Sequence, residues 1–205
     1  MMWNEIQSIF EKSNKKICIY AGVESRGMFE LKTLGVQKNK YLEAVVKYTA
    51  GICIDNWIRV LGQSSVEHFG ILEYNSKRAG IEVVTTNEMI IVAQDMVGGV
   101  YAIDYGGING QKKIWYFAPD TLEWECLEMD YKDFLIWLIH GNTKDFYENM
   151  RWETWEKDCM DIQFDYGYLI YPFLWSAECD LNTAIKKVVP IMELFNLNME
   201  HYLSL

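Results

Sequence analysis

"EMIIVAQDMVGGVYAIDYGGINGQKKIWYFA", residues 88–118, decides how the chain is to be read. It holds three runs, "EMIIVAQD", "GVYAID" and "KKIWYFA", rich in the β-branched and aromatic residues that fit a pleated, half-buried surface. "MVGG" separates the first two and "YGGINGQ" the last two, and glycine supplies the positive φ angles that tight turns need. Connections this short join neighbouring strands antiparallel. Apolar side chains occupy both alternations: Tyr101, Ile103, Ile114 and Tyr116 on one, Val100, Ala102, Trp115 and Phe117 on the other. A sheet wetted on one face alternates with polar residues instead. The expected class is therefore α+β: an antiparallel meander at about 89–118 with neighbouring strands, and helices over one face and at least part of the other.

Upstream, "KKICIYAG" reads as a strand, and "ICIDNWIRVLG" as a strand bent at Asp55-Asn56. Trp3, Ile6, Ile9 and Phe10 are spaced as the buried stripe of an opening helix. "NKYLEAVVKYTAG" predicts a helix capped by Asn39 that stops near Gly51. "SSVEHFGILEYN" predicts another, capped by Ser64 or Ser65, burying Val66, Phe69 and Leu72. Downstream, "DYKDFLIWLIHGN" has Asp130 as N-cap and Gly141 as stop. "TKDFYENMRWETWEKDC" restarts at Thr143, with Phe146, Met150 and either Tyr147 or Trp155 on one stripe. "FDYGYLIYPFLWS" is expected to be extended before Pro172, and a last helix to follow Pro190. Without repeats or a linker, residues 1–205 read as one domain: an N-terminal helix and strand over 1–33, then a core over 34–197.

Twenty-nine acidic residues against nineteen basic leave a formal charge of −10. That field repels a phosphate backbone, which argues against nucleic acid, and is compatible with a basic protein partner or with plain solubility. No apolar run is long enough to span a membrane, and the start does not read as a signal peptide, so a cytoplasmic location is expected. Five widely spaced cysteines without a CxxC suit reduced, buried thiols. His68, His140 and His201 lack spaced ligand partners, so no metal is expected. The glycines open strands rather than a helix, which removes a dinucleotide fingerprint, and no nucleophile elbow is present. No cofactor and no catalytic residue is assigned.

The candidate binding residues lie in two blocks. "WYFAPDTLEWE", residues 115–125, offers Trp115, Asp120, Trp124 and Glu125, an aromatic–acid pad of the kind interfaces use at hot spots. Ala118 precedes Pro119, so the strand should end there, and Trp124 should fold back over the edge of the core. "RWETWE" adds Arg151 and Trp152. Arg151 either pairs with Asp120 or Glu125, or lays its stem across Trp155.

These blocks also carry a resemblance. "VAQDMVGGVYAIDYGG", "IWYFAPDTLEWECL", "YKDFLIWLIHGNTKDFYENMRW" and "YPFLW" resemble, in type and order over about residues 34–197, the bacterial domain of unknown function 2625. Gln94 stands where that family tends to carry an aspartate, which removes a paired-carboxylate role for the turn. More loosely, the meander followed by "FLIWL" is similar to the SUKH superfamily of yeast cell-wall regulator-like and immunity proteins. That resemblance implies a SUKH-like fold and a module that neutralises toxins by binding them. Two functions stay open. One is a non-enzymatic protein-binding module, an immunity or regulatory protein occluding a basic partner. The other is a small-molecule enzyme or sensor with a pocket lined by Trp115, Tyr101 and Trp124 and carboxylates at its rim.

Overall fold

The computed structural model describes residues 2–35, 38–76 and 89–204. Glu88, at the start of the ribbon, lies outside them. The expected three-strand meander is the middle of a seven-strand one: β1 (Ile17–Ala21), β2 (Thr49–Ile54), β3 (Ile58–Leu61), β4 (Met89–Asp95), β5 (Val100–Asp104), β6 (Ile114–Ala118) and β7 (Glu123–Cys126). Each strand pairs antiparallel with the next, so sequence order is also spatial order.

Local chemistry sets the joints. The Asp55-Asn56 bend is a two-residue hairpin turn with φ 53° at both positions, and Trp57 N donates to Ile54 O at 3.0 Å to close it. Asn and Asp tolerate that left-handed geometry because their short side chains bond locally. At the β4–β5 turn Gly98 has φ 94°. A Cβ on its neighbour Gly99 would sit 2.2 Å from Asp95 Oδ2 and 2.3 Å from Tyr116 Oη, so only glycine leaves room for the acid beneath. After β5, Asp104 accepts from the backbone N–H groups of Gly106, Ile108, Asn109 and Gly110. Burial opposes its ionisation, but these donors outweigh it and hold its pKa below the ordinary value.

Both faces are covered, as the absence of polar alternation requires: β2, β3, β4 and β5 are buried along their whole length. On one face, Tyr101 and Tyr116 meet Phe134 of α5 (Tyr131–His140) and Phe146 of α6 (Thr143–Phe146) at 4.9 and 5.1 Å. α1 (Met2–Glu11) and α3 (Lys40–Tyr48) extend this layer, with α2 (Glu24–Leu34) against α3. On the other face, Phe117 meets Tyr202 of α8 (Ile191–Ser204). A second sheet, β8 (Tyr166–Tyr171) with β9 (Ile185–Pro190), is tied there by Tyr168 N to Met96 O at 2.7 Å. The Asn39 and Asp130 caps form as expected, and Gly141 follows the end of α5.

Two expected helices shrink. Only α4 (Ile71–Ser76) is helical in the 64–75 segment, and Val66 is fully exposed rather than buried. Ser65 Oγ accepts from Glu67 N and His68 N, which satisfies those donors in a local turn instead of a helix. The segment after Thr143 is one turn of α6, then non-helical turns, then one turn of α7 (Trp155–Asp158). Tyr147, Met150 and Trp152 are all buried, and no single helical stripe can bury that set. β7 was legible only as the backfold of Trp124; it is a paired strand, and Trp124 packs on Phe117 at 5.3 Å. Among the described residues no helix is long and apolar enough to cross a membrane.

Candidate functional site

The structure separates the two blocks of candidate residues. Trp115, Asp120, Trp124 and Glu125 all lie on the β6–β7 hairpin, closed by Leu122 N donating to Ala118 O at 2.9 Å, but Glu125 pairs with Tyr116 and so projects to the face opposite Trp115 and Trp124. Trp115 and Trp124 are half-buried, and Glu125 is exposed beside Glu123. Asp120 is partly buried with Oδ1 unbonded, and burial raises its pKa. Register keeps Tyr101 out of this group. Tyr101 pairs with Tyr116 while Ala102 pairs with Trp115, so Tyr101 points to the face opposite Trp115 and Trp124. The three rings therefore do not line one pocket.

Arg151 lies elsewhere: of its two expected arrangements, the ion pair with Asp120 or Glu125 does not form among the described residues, and the side chain lies against Trp155 instead. Its guanidinium is clasped by Trp57, Tyr147 and Trp155, with centroid distances of 4.9, 4.9 and 4.1 Å. The non-helical 147–154 segment brings Tyr147 and, at the start of α7, Trp155 against Trp57 of the β2–β3 turn. Nη1 donates to Thr143 O at 3.4 Å; Nε and Nη2 have no partner. Burial lowers the Arg151 pKa, opposed by nearby Tyr147 and Asp55. Trp152 is a buried wedge, with Nε1 donating to Asp158 Oδ2 at 2.6 Å and its ring edge-on to Tyr168.

The Arg151–Trp155 stack divides two grooves. The larger, about 620 Å³, lies between the approach to β1 (Asn14–Lys16), the β2–β3 turn and the α5–α6 junction. It brings together Lys15, Lys16, Lys144 and Arg151 against Asp55 and Glu156. The other, about 500 Å³, shares Lys144, Arg151 and Trp155 but is rimmed by Asp145, Glu148 and Glu153. Lys15, Lys16 and Lys144 carried no signal in the sequence; four distant segments become neighbours only through the topology.

The groups with the most perturbed environments sit away from both grooves. Asp95 is wholly buried and accepts from Tyr116 Oη at 2.6 Å, Val97 N at 3.0 Å and Gly99 N at 2.9 Å. Burial raises its pKa despite these donors. The hydroxyls of Tyr101 and Tyr147, also buried, bond each other beside it. On the opposite face Arg59 is sealed among Cys53, Gln94 and Met96, and donates to Gln163 O at 3.1 Å. Burial pushes the Cys159 thiol up to about 12, opposed by Arg59. No group of three His, Cys, Asp or Glu among the described residues is placed to hold a metal ion.

A profile of the family described as "Protein of unknown function DUF2625" matches residues 1–194. "Putative uncharacterized protein YbfG" of Escherichia coli (strain K12) is 36% identical over 110 residues, covering 53% of this chain and 50% of that protein. The match thus spans about half the length of this relative. An "Uncharacterized protein" of Haemophilus influenzae (strain ATCC 51907 / DSM 11121 / KW20 / Rd) is 28% identical over 177 residues, 84% of this chain and 75% of that protein.

Proposed function

From the premise that the chain belongs to the DUF2625 family, we propose that it is a non-enzymatic protein-binding module that occludes a basic partner, with its recognition surface at the acid-rimmed groove beside Trp155. One observation carries this reading: Asp145, Glu148 and Glu153, all exposed, ring a groove walled by an aromatic stack. Carboxylates around a tryptophan suit a lysine or arginine side chain, which gains both charge pairing and contact with the ring. The net charge of −10 would steer such a partner inward and select against acidic ones. The perturbed carboxyl, hydroxyl and thiol groups inside the fold do not converge on a groove, so they support a structural role rather than bond-breaking. The wider SUKH-like resemblance supports the same kind of action, an immunity or regulatory protein covering its target.

The test is quantitative capture of partners from cell extract by three proteins: wild type, a Glu148→Lys/Glu153→Lys double variant, and a Glu123→Lys/Glu125→Lys double variant on the hairpin. The expected result is a basic protein held by the wild type and the hairpin variant, released by salt, and lost by the groove variant. Loss with the hairpin variant instead moves the surface to residues 115–125. Absence of any basic protein that distinguishes the three ends the reading.

A further inference from the structure

We propose that the larger groove, between the approach to β1, the β2–β3 turn and the α5–α6 junction, binds a small organic ligand through a doubly charged phosphate group. This goes beyond the basic-partner reading and does not rest on it.

In a chain that carries ten more acids than bases, four cations converge here from three segments: Lys15 and Lys16, Lys144, and Arg151. None of the four cationic head groups has a carboxylate oxygen within 4.0 Å among the described residues, although the backbone N–H of Lys16 donates to Asp55 Oδ1. Asp55 and Glu156 also line the groove, which leaves two positive charges in excess. The four contribute differently. Lys15 Nζ already donates to Leu138 O, Gly141 O and Thr143 Oγ1 at 2.8, 3.2 and 2.8 Å, so it offers charge rather than a free donor. Lys16 and Lys144 are exposed at the mouth and free to swing inward. Arg151 lines the groove, fixed in orientation by its stack on Trp155; its two unbonded donors, Nε and Nη2, are buried, so it too offers charge rather than a free donor. Burial lowers the Lys15 pKa, and the charge of Arg151 lowers it further against the pull of Asp55, so the two cations repel each other across this wall. A bound anion would relieve that repulsion.

The chemistry selects the ligand class. An excess of two charges matches a phosphomonoester, which carries nearly two at neutral pH. The exposed ammonium groups of Lys16 and Lys144 suit its oxygens as point charges. A volume of about 620 Å³ is that of a small-molecule site, and Trp155 and Met160 give the organic part an apolar wall. A polyanion is disfavoured by the acidic remainder of the surface.

The experiment titrates the full chain at constant ionic strength with inorganic phosphate and, in parallel, with succinate, a dicarboxylate of the same charge. The Arg151 Nε–H and Trp155 indole N–H resonances report occupancy. Phosphate should give saturable shifts in the millimolar range, and Lys16→Glu/Lys144→Glu should weaken binding by at least about tenfold with the fold unchanged. The Glu148→Lys/Glu153→Lys variant, altered outside this groove, should bind phosphate at least as well, so failure here and failure of the basic-partner reading are separable. The absence of saturation, shifts that persist unchanged in Lys16→Glu/Lys144→Glu, or succinate binding as tightly as phosphate would each overturn the proposal.

Discussion

Arg59 and Arg151 both stand without a carboxylate within 4.0 Å among the described residues, yet the fold treats them in opposite ways. Arg59 is sealed between β3 and the 159–165 segment, with one backbone acceptor, a sulfur contact, and Nε and Nη1 unbonded. Arg151 sits on the border of two grooves, and three aromatic rings replace the missing acid. A sealed cation without a counter-charge is costly and holds structure at best. A cation fixed by rings beside open space keeps its field available to a ligand. An unpaired charge therefore carries a functional meaning only where solvent or ligand can reach it.

The largest expected effect removes what holds the Arg151 side together. Trp57 is fully buried, meets Tyr147, Trp152 and Trp155 at 5.6, 5.9 and 5.2 Å, and backs the guanidinium. Trp57→Ala should lower unfolding free energy by about 3–5 kcal/mol in urea titration. A loss below about 1 kcal/mol would place the ring cage outside the core and break the comparison.

Arg59 is tested by a pair of substitutions. Arg59→Ala leaves a cavity and frees the Gln163 carbonyl, and should cost about 2–4 kcal/mol. Arg59→Met keeps most of the volume while removing the buried charge, and should lie within about 1 kcal/mol of wild type, or above it. Equal losses in the two variants would show that the charge itself is needed, and Arg59 would then belong with Arg151.

A third test uses the tyrosine face, where a buried acid does have partners. Tyr116→Phe deletes the donor to Asp95 Oδ2 and should cost about 1–3 kcal/mol. The pH dependence follows from burial, which raises the folded pKa of Asp95 above its ordinary 3.8. The folded protein then keeps this proton to higher pH than the unfolded chain does. Its contribution is fully present below the ordinary value and is lost as pH rises through the folded one. Urea midpoints measured from about pH 4 to pH 7 should show that decline, and Asp95→Asn should flatten it.

The sequence exposes these regions unequally, for physical reasons. The meander, the Asp55-Asn56 turn and the Asn39 and Asp130 caps were legible because each depends on a few adjacent residues. The 64–70 turn was not, since Ser65 competes for the same donors a helix would use. A tight turn keeps Trp115, Asp120, Trp124 and Glu125 on one hairpin, but the register puts Glu125, opposite Tyr116, on the other face from Trp115 and Trp124. For Arg151 the sequence left two arrangements open, an acid partner or Trp155, and the contact with Trp155 forms; nothing local reveals that Trp57, ninety-odd residues earlier, joins it. The cation cluster was invisible for the same reason: Lys15 reaches Thr143 across 128 positions, and only the strand order closes that gap.

The smallest stability effect is expected at Arg151 itself, and it sharpens the comparison most. Its rings pack against the core without it, and its hydrogen bond to Thr143 O is long, at 3.4 Å. Arg151→Gln should therefore cost no more than about 2 kcal/mol, the value of a partly desolvated cation–π contact. The same change removes the charge shared by both grooves, so it should alter charge-dependent binding far more than folding. Arg59→Ala should do the reverse, lowering the thermal midpoint while leaving the grooves' charges in place. If Arg151→Gln instead unfolds the protein as readily as Arg59→Ala, the ring clasp is a structural rivet, and the contrast between the sealed and the accessible guanidinium disappears.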